Sequence, residues 1–332
     1  MTFSSQVKAN DGAGILVGET PSNHSYSVSG VRSLFVGDHG LRAGWRLVLF
    51  LAISVVLLAA FVLIRAGGMH AFVEQQKTAS QIIVTPLLMG GSEAIAFLVV
   101  CFAALVMAKI ERRKFGEYGL PFDRSQSGLW KGGLWGFAAI SGTLLGIFLL
   151  HGFHITGLAL HGTAIASAVA AWGMACLLVG LFEEFLCRGY VQYTLASGIG
   201  YWPAALIVSG LFGLVHAFNP NETAVGAVSA GLFGILFCLF LRRGGNLWSA
   251  VGFHAAWDFG QTFYGVADSG IRPYHNVFNS VFSGPTWLTG GAVGPEASIM
   301  TPIALIVVAL IFNHYHRVDR HAIREDCASL AR

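Results

Sequence analysis

Long apolar runs, separated by short polar stretches, dominate the chain from about residue 41 to residue 315. A helix needs roughly 20 predominantly apolar residues to cross a hydrocarbon core. Runs near that length fall at about 45–64, 87–108, 133–150, 163–197, 202–218, 223–241, 247–263 and 299–312. The pattern predicts an all-α polytopic membrane protein with about eight transmembrane helices. Between them lie a polar loop of some helical character at about 65–86, a turn at Gly198-Ile199-Gly200, a break at Asn219-Pro220, and a Gly/Pro/Ser-rich loop at about 264–298. Residues 1–40, rich in Ser, Gly, Asn and Asp, read as a flexible polar tail, and no apolar core near the start suggests a signal peptide. Residues 316–332 read as a His/Arg-rich cytoplasmic tail. No polar linker divides residues 41–315, so they are expected to form one membrane domain.

Composition supports this. Charged residues make up 11% of the chain and apolar ones 55%, with a mean hydropathy of +0.64. Soluble proteins carry about 25% charged residues, so too little charge is present to cover a soluble surface. The net charge of +3 needs no nucleic-acid partner, because basic loops on the inner side of a membrane account for it. With eight spans and the N-terminus inside, the outer loops hold only Arg65, Lys77 and Arg272; the other 17 of 20 basic residues fall at inner helix ends, in inner segments or, for Arg188, within a span. Both termini are therefore expected in the cytoplasm, in a multi-pass protein of a plasma membrane. Five cysteines without a CxxC pair indicate neither a disulfide framework nor a thiolate zinc site. In the third span, Gly132-x-x-x-Gly136 and Gly142-x-x-x-Gly146 are small-residue spacings that permit close helix approach.

The exceptional stretch is Phe182-Glu183-Glu184-Phe185-Leu186-Cys187-Arg188. Each ionised side chain at the bilayer centre costs about 2.5–3.5 kcal/mol on insertion scales, so three in six residues need partners. Glu184 and Arg188 are four apart, lie on one helix face and can neutralise each other. Glu183 points about 100° away and is left over. Two later spans carry Phe212-x-x-x-His216 and His254-x-x-x-Asp258. Glu183 lies 16 residues before Ile199, and His216 lies 16 after Gly200. At about 1.5 Å per residue, both stand roughly 20–25 Å from the turn between them. His254 and Asp258, 10 and 14 residues after Gly244, stand at about 15–21 Å from theirs. Four titratable groups thus share one layer. A desolvated carboxylate suits a general base working on water, and two imidazoles can bind a metal, orient that water or donate to an oxyanion. Hydrolysis of an amide within the membrane is the chemistry such a set serves.

Glu183-Glu184-x-x-x-Arg188, Phe212-x-x-x-His216 and His254-x-x-x-Asp258, in that order on separate helices, resemble the CPBP family of CAAX proteases and bacteriocin-processing (Abi) proteins, whose pattern is EExxxR, FxxxH and HxxxN or HxxxD. The flanks Leu41-Arg42-Ala43-Gly44-Trp45-Arg46, Asn219-Pro220-Asn221 and Gly284-Pro285-Thr286-Trp287-Leu288-Thr289-Gly290-Gly291 resemble bacterial members. The resemblance implies that Glu183 activates water with help from His216, that His254 and Asp258 stabilise the oxyanion, and that Glu184, Arg188 and Phe212 support them. An ionised Asp258 would repel an oxyanion, so it is protonated, or orients His254, or helps hold a metal. A divalent metal such as zinc on His216, His254 and Asp258 is therefore one reading of the centre, and a glutamate-dependent protease the other. The expected partners are the lipid bilayer and a membrane-embedded or membrane-associated peptide or protein substrate. Two rival functions are a proton- or ion-coupled transporter, whose ion path the same residues would line, and a non-catalytic membrane scaffold. The inverted repeats that mark many transporters are not seen.

Overall fold

The computed structural model describes residues 35–37, 40–76, 82–121, 125–219 and 221–315. Most of the predicted N-terminal tail, the C-terminal tail 316–332 and Pro220 lie outside them. Each predicted span is a helix: α1 (Ala43–Gln76), α2 (Pro86–Glu111), α3 (Ser125–Leu149), α4 (Thr163–Ile199), α5 (Tyr201–His216), α6 (Ala224–Gly244), α7 (Trp248–Tyr264) and α8 (Met300–Tyr315). Five of these, α1–α4 and α6, are long and apolar enough to cross a membrane by length and composition. Helices α5 and α8 are shorter apolar helices. The protein is an all-α polytopic membrane protein.

Helix ends follow local chemistry. Thr85 caps α2, its hydroxyl accepting from the Leu88 amide, with Pro86 at the first position where its missing N–H costs nothing. Thr223 caps α6 in the same way through the Gly226 amide. Gly200, at φ +87°, takes the positive-φ turn that ends α4 and starts α5.

Two ends of the bundle are distinguishable by what joins them. At one end, Glu111 of α2 binds Arg46 of α1 at 2.7 Å and accepts from Tyr190 of α4 at 2.6 Å, while Arg113 reaches Tyr193 at 2.7 Å. Trp248 of α7 donates to the Pro121 carbonyl there, and Arg243 binds Asn313. The other end carries two short two-stranded sheets. The first pairs β1 (Ile82–Val84) in parallel with β3 (Ile271–Pro273); the second pairs β2 (Phe153–Leu158) antiparallel with β4 (Phe278–Phe282). The loop of residues 265–299 is thereby folded across that end.

The central helices α3, α4 and α7 pack at backbone contact. A Cβ on Gly132 would come within 2.1 Å of the Ser249 carbonyl oxygen, and one on Gly136 within 2.2 Å of that of Phe253. The first small-residue spacing is thus the α3–α7 seam. In the second, Gly142 faces open space and Gly146 meets only Met300 of α8. Gly136→Ala is expected to push the two helices apart and cost about 1–3 kcal/mol, read as a lower melting temperature in detergent; Gly142→Ala is expected to leave it unchanged.

Candidate active site

Helix α4 is not uniform. It is α-helical from Thr163 to Glu184, widens into a π-turn over Phe185–Val191, and resumes as α-helix at Gln192. The wide turn lies directly after the two glutamates. π-Bulges of this kind are frequent at functional sites.

The expected Glu184–Arg188 ion pair is present at 2.9 Å, with both side chains fully buried. Glu184 does more than neutralise Arg188. Its Oε1 also accepts from Nδ1–H of His254 on α7, again at 2.9 Å. That bond fixes the imidazole's orientation and aims Nε2 at Glu183 Oε2, 3.7 Å away, and at Asp258 Oδ2, 3.6 Å away. Of the roles open to Asp258, orienting His254 therefore falls to Glu184 instead.

Arg188 links the two histidines through aromatic rings. Its guanidinium carbon lies 4.4 Å from the Phe212 ring centre and 5.4 Å from that of Phe237. His216 packs on Phe212, and its Nδ1–H donates to the Phe212 carbonyl at 2.8 Å, which leaves Nε2 as the ring's lone pair. His254 stacks on Phe237 at 5.4 Å and 20°. Nε and Nη2 of Arg188 find no hydrogen-bond acceptor among the described residues, and the aromatic faces supply the remaining attraction. Gly234 of α6 makes room for this, because a Cβ there would come within 2.8 Å of Nη2.

Glu183, His216, His254 and Asp258 all line one cavity of about 310 Å³. Glu183 Oε2 has no hydrogen-bond partner among the described residues, and His254 Nε2 lies 3.7 Å from it. Four carboxylates that the motifs did not point to line the same cavity: Glu93, Glu222, Asp268 and Glu296. Asp268 and Glu296 lie in the loop across the cavity end, where Gln261 donates to both, at 2.9 and 3.0 Å. Burial, together with Asp258 and Glu296, pushes the Asp268 carboxyl well above the usual carboxylate range. Burial also raises Glu222.

His216, His254 and Asp258 do not form a trio whose ligand atoms all lie within 4.8 Å of one another. Among the described residues, the one set of three ligand-type side chains whose atoms all lie within 4.8 Å of one another is Asp258, Asp268 and Glu296. Nδ1–H of His254 is donated to Glu184, so Nε2 is the ring atom that faces the cavity. The acidic trio is all oxygen, a donor set for hard cations rather than for zinc.

Residues 165–260 match the family model described as type II CAAX prenyl endopeptidase Rce1-like. The match is consistent with the CPBP and CAAX protease family and supports a CAAX-type intramembrane protease. The matched stretch takes in Glu183, Glu184, Arg188, Phe212, His216, His254 and Asp258; Glu93, Asp268 and Glu296 lie outside it. No curated protein matches the chain.

Proposed function

We propose that the protein is a glutamate-dependent intramembrane endopeptidase in which Glu183 is the general base. The observation that supports this reading is the convergence of Glu183, His216, His254 and Asp258 on one cavity, with Glu183 Oε2 accepting no hydrogen bond from a described residue. Glu183 takes a proton from water as the water oxygen attacks the amide carbon. His216 Nε2 accepts a hydrogen bond from the same water and orients it. His254, held by Glu184, donates from Nε2 as an imidazolium to the developing oxyanion. Asp258 balances that imidazolium from 3.6 Å. When the C–N bond breaks, Glu183 returns its proton to the departing amine. Purified protein is expected to cleave members of a peptide library in detergent, and His216→Ala and His254→Ala to lose that activity while remaining folded. Cleavage at the wild-type rate by either variant would sink these assignments.

The cavity is lined by Asn219, Glu222, Ser269 and Ile271, which belong to the end of the bundle away from Lys109, Arg112, Arg113, Lys114, Arg242 and Arg243. Basic clusters mark the cytoplasmic side, so the cavity opens to the opposite, extracytoplasmic side and draws its substrate from there. A membrane-impermeant maleimide on intact cells is expected to label Asn221→Cys and to spare Lys114→Cys. The reverse pattern would place the opening on the cytoplasmic side.

A further inference from the structure

The electrostatic character of the cavity names a substrate class, an inference that rests on the peptidase reading. Six carboxylates line it: Glu93, Glu183, Glu222, Asp258, Asp268 and Glu296. The two histidines are the only basic side chains among the lining residues, and neither Lys nor Arg is among them. Nor does any described Lys or Arg form an ion pair with Glu93, Glu222, Asp258, Asp268 or Glu296. Arg272, next to the lining residue Ile271, is exposed and forms no such pair.

The acids do not spread evenly round the wall. Asp258, Asp268 and Glu296 meet within 4.8 Å. Their positions are set by neighbouring side chains. Gln261 spans Asp268 and Glu296; Trp257 donates to Glu296 at 3.2 Å, and Ser269 donates to its other oxygen. Asp258 is 4% exposed and receives no hydrogen bond from a described residue, and the cation-capable group near it, His254 Nε2 at 3.6 Å, is shared with Glu183. Buried carboxylates need compensating charge or donors. In a cleft with apolar walls, a concentration of one charge sign attracts a ligand of the opposite sign and repels its own. Met89, Val179, Phe233 and Trp257 supply such walls.

We propose that this cavity selects peptides bearing a Lys or Arg side chain close to the scissile bond, and that this side chain enters the corner formed by Asp258, Asp268 and Glu296, with Glu222 beside it. A guanidinium matches two carboxylates at once, and an ammonium is drawn as a point charge. The scissile amide of the same peptide then lies by Glu183 and His254, because Asp258 borders both.

The test uses the full chain in detergent and pairs of fluorescent peptides identical except for Lys, Arg, norleucine or Glu at one position near the cleaved bond. The Lys and Arg peptides are expected to show kcat/KM on the order of tenfold or more above the Glu peptide. The Asp268→Asn/Glu296→Gln double variant is expected to lose most of that ratio. Equal or reversed ratios in the wild type, with cleavage intact, would overturn the charge inference and leave the peptidase reading standing. Binding to Glu183→Gln, measured by fluorescence anisotropy, separates the two the other way. A Lys-over-Glu preference in binding without cleavage by the wild type sustains the inference and removes the hydrolytic reading; no preference in binding overturns the inference. Each measurement is repeated with EDTA and with millimolar Ca²⁺ or Mg²⁺. A basic preference that survives both supports the inference, and one that Ca²⁺ or Mg²⁺ abolishes assigns the trio to a metal ion instead.

Discussion

Glu183→Gln is expected to lower kcat for peptide cleavage by about 10²–10⁴-fold, the range for removing a general base, while KM and membrane insertion stay close to wild type. The amide is isosteric with the carboxylate and cannot take a proton from water. Because Glu183 Oε2 accepts no hydrogen bond from a described residue, the exchange removes little that holds the fold together. A small change in melting temperature beside a large loss of kcat is therefore the combined signature. Unchanged turnover by Glu183→Gln would remove the mechanism entirely. A comparable fall in stability would instead make Glu183 a structural residue.

The largest stability effect is expected at Arg188→Ala. Arg188 and Glu184 are both fully buried, and removing one partner strands a charge inside the protein. Breaking a buried pair in this way costs about 3–5 kcal/mol. The loss is compounded because the guanidinium carbon lies over Phe212 and Phe237, the rings that carry His216 and His254. The Glu184→Gln/Arg188→Met pair is expected to recover much of the stability. No charge is then left alone, and the side-chain amide introduced by Glu184→Gln keeps an oxygen that can accept from His254. Thermal melts of the single and double variants in detergent measure both effects. A double variant no more stable than Arg188→Ala would show that stacking, rather than charge, carries the cost.

The contrast between these two residues mirrors what the chain disclosed before its coordinates. Apolar runs located the eight helices, because length and hydropathy are written directly in the residues. The ion pair followed from a spacing of four, and the shared layer of Glu183, His216, His254 and Asp258 followed from counting rise along helices. The second role of Glu184 did not follow, since its bond to His254 joins positions 70 apart in sequence. Phe237 and Gly234 read as ordinary interior residues, because an aromatic residue or a glycine in an apolar helix usually serves packing alone. Asp268 and Glu296 sit in a loop whose path depends on strands β1 and β3 pairing across it, and no local pattern announces where such a loop lands. The wide turn after Glu184 has no compositional mark, because an i→i+5 bond uses the same residues as an i→i+4 bond.

That wide turn has a genetic consequence. A π-turn holds one residue more than the α-helix it interrupts. Removing a single codon from the stretch Phe185–Val191 would let the helix close into a continuous α form without breaking it. The widening absorbs the roughly 100° that the extra residue adds, so the two halves would stay in phase and the local geometry of the turn after Glu184 would change. A deletion elsewhere along α4 turns one half by about 100° against the other, whereas a deletion here is expected to yield an inserted protein that loses only its widened turn.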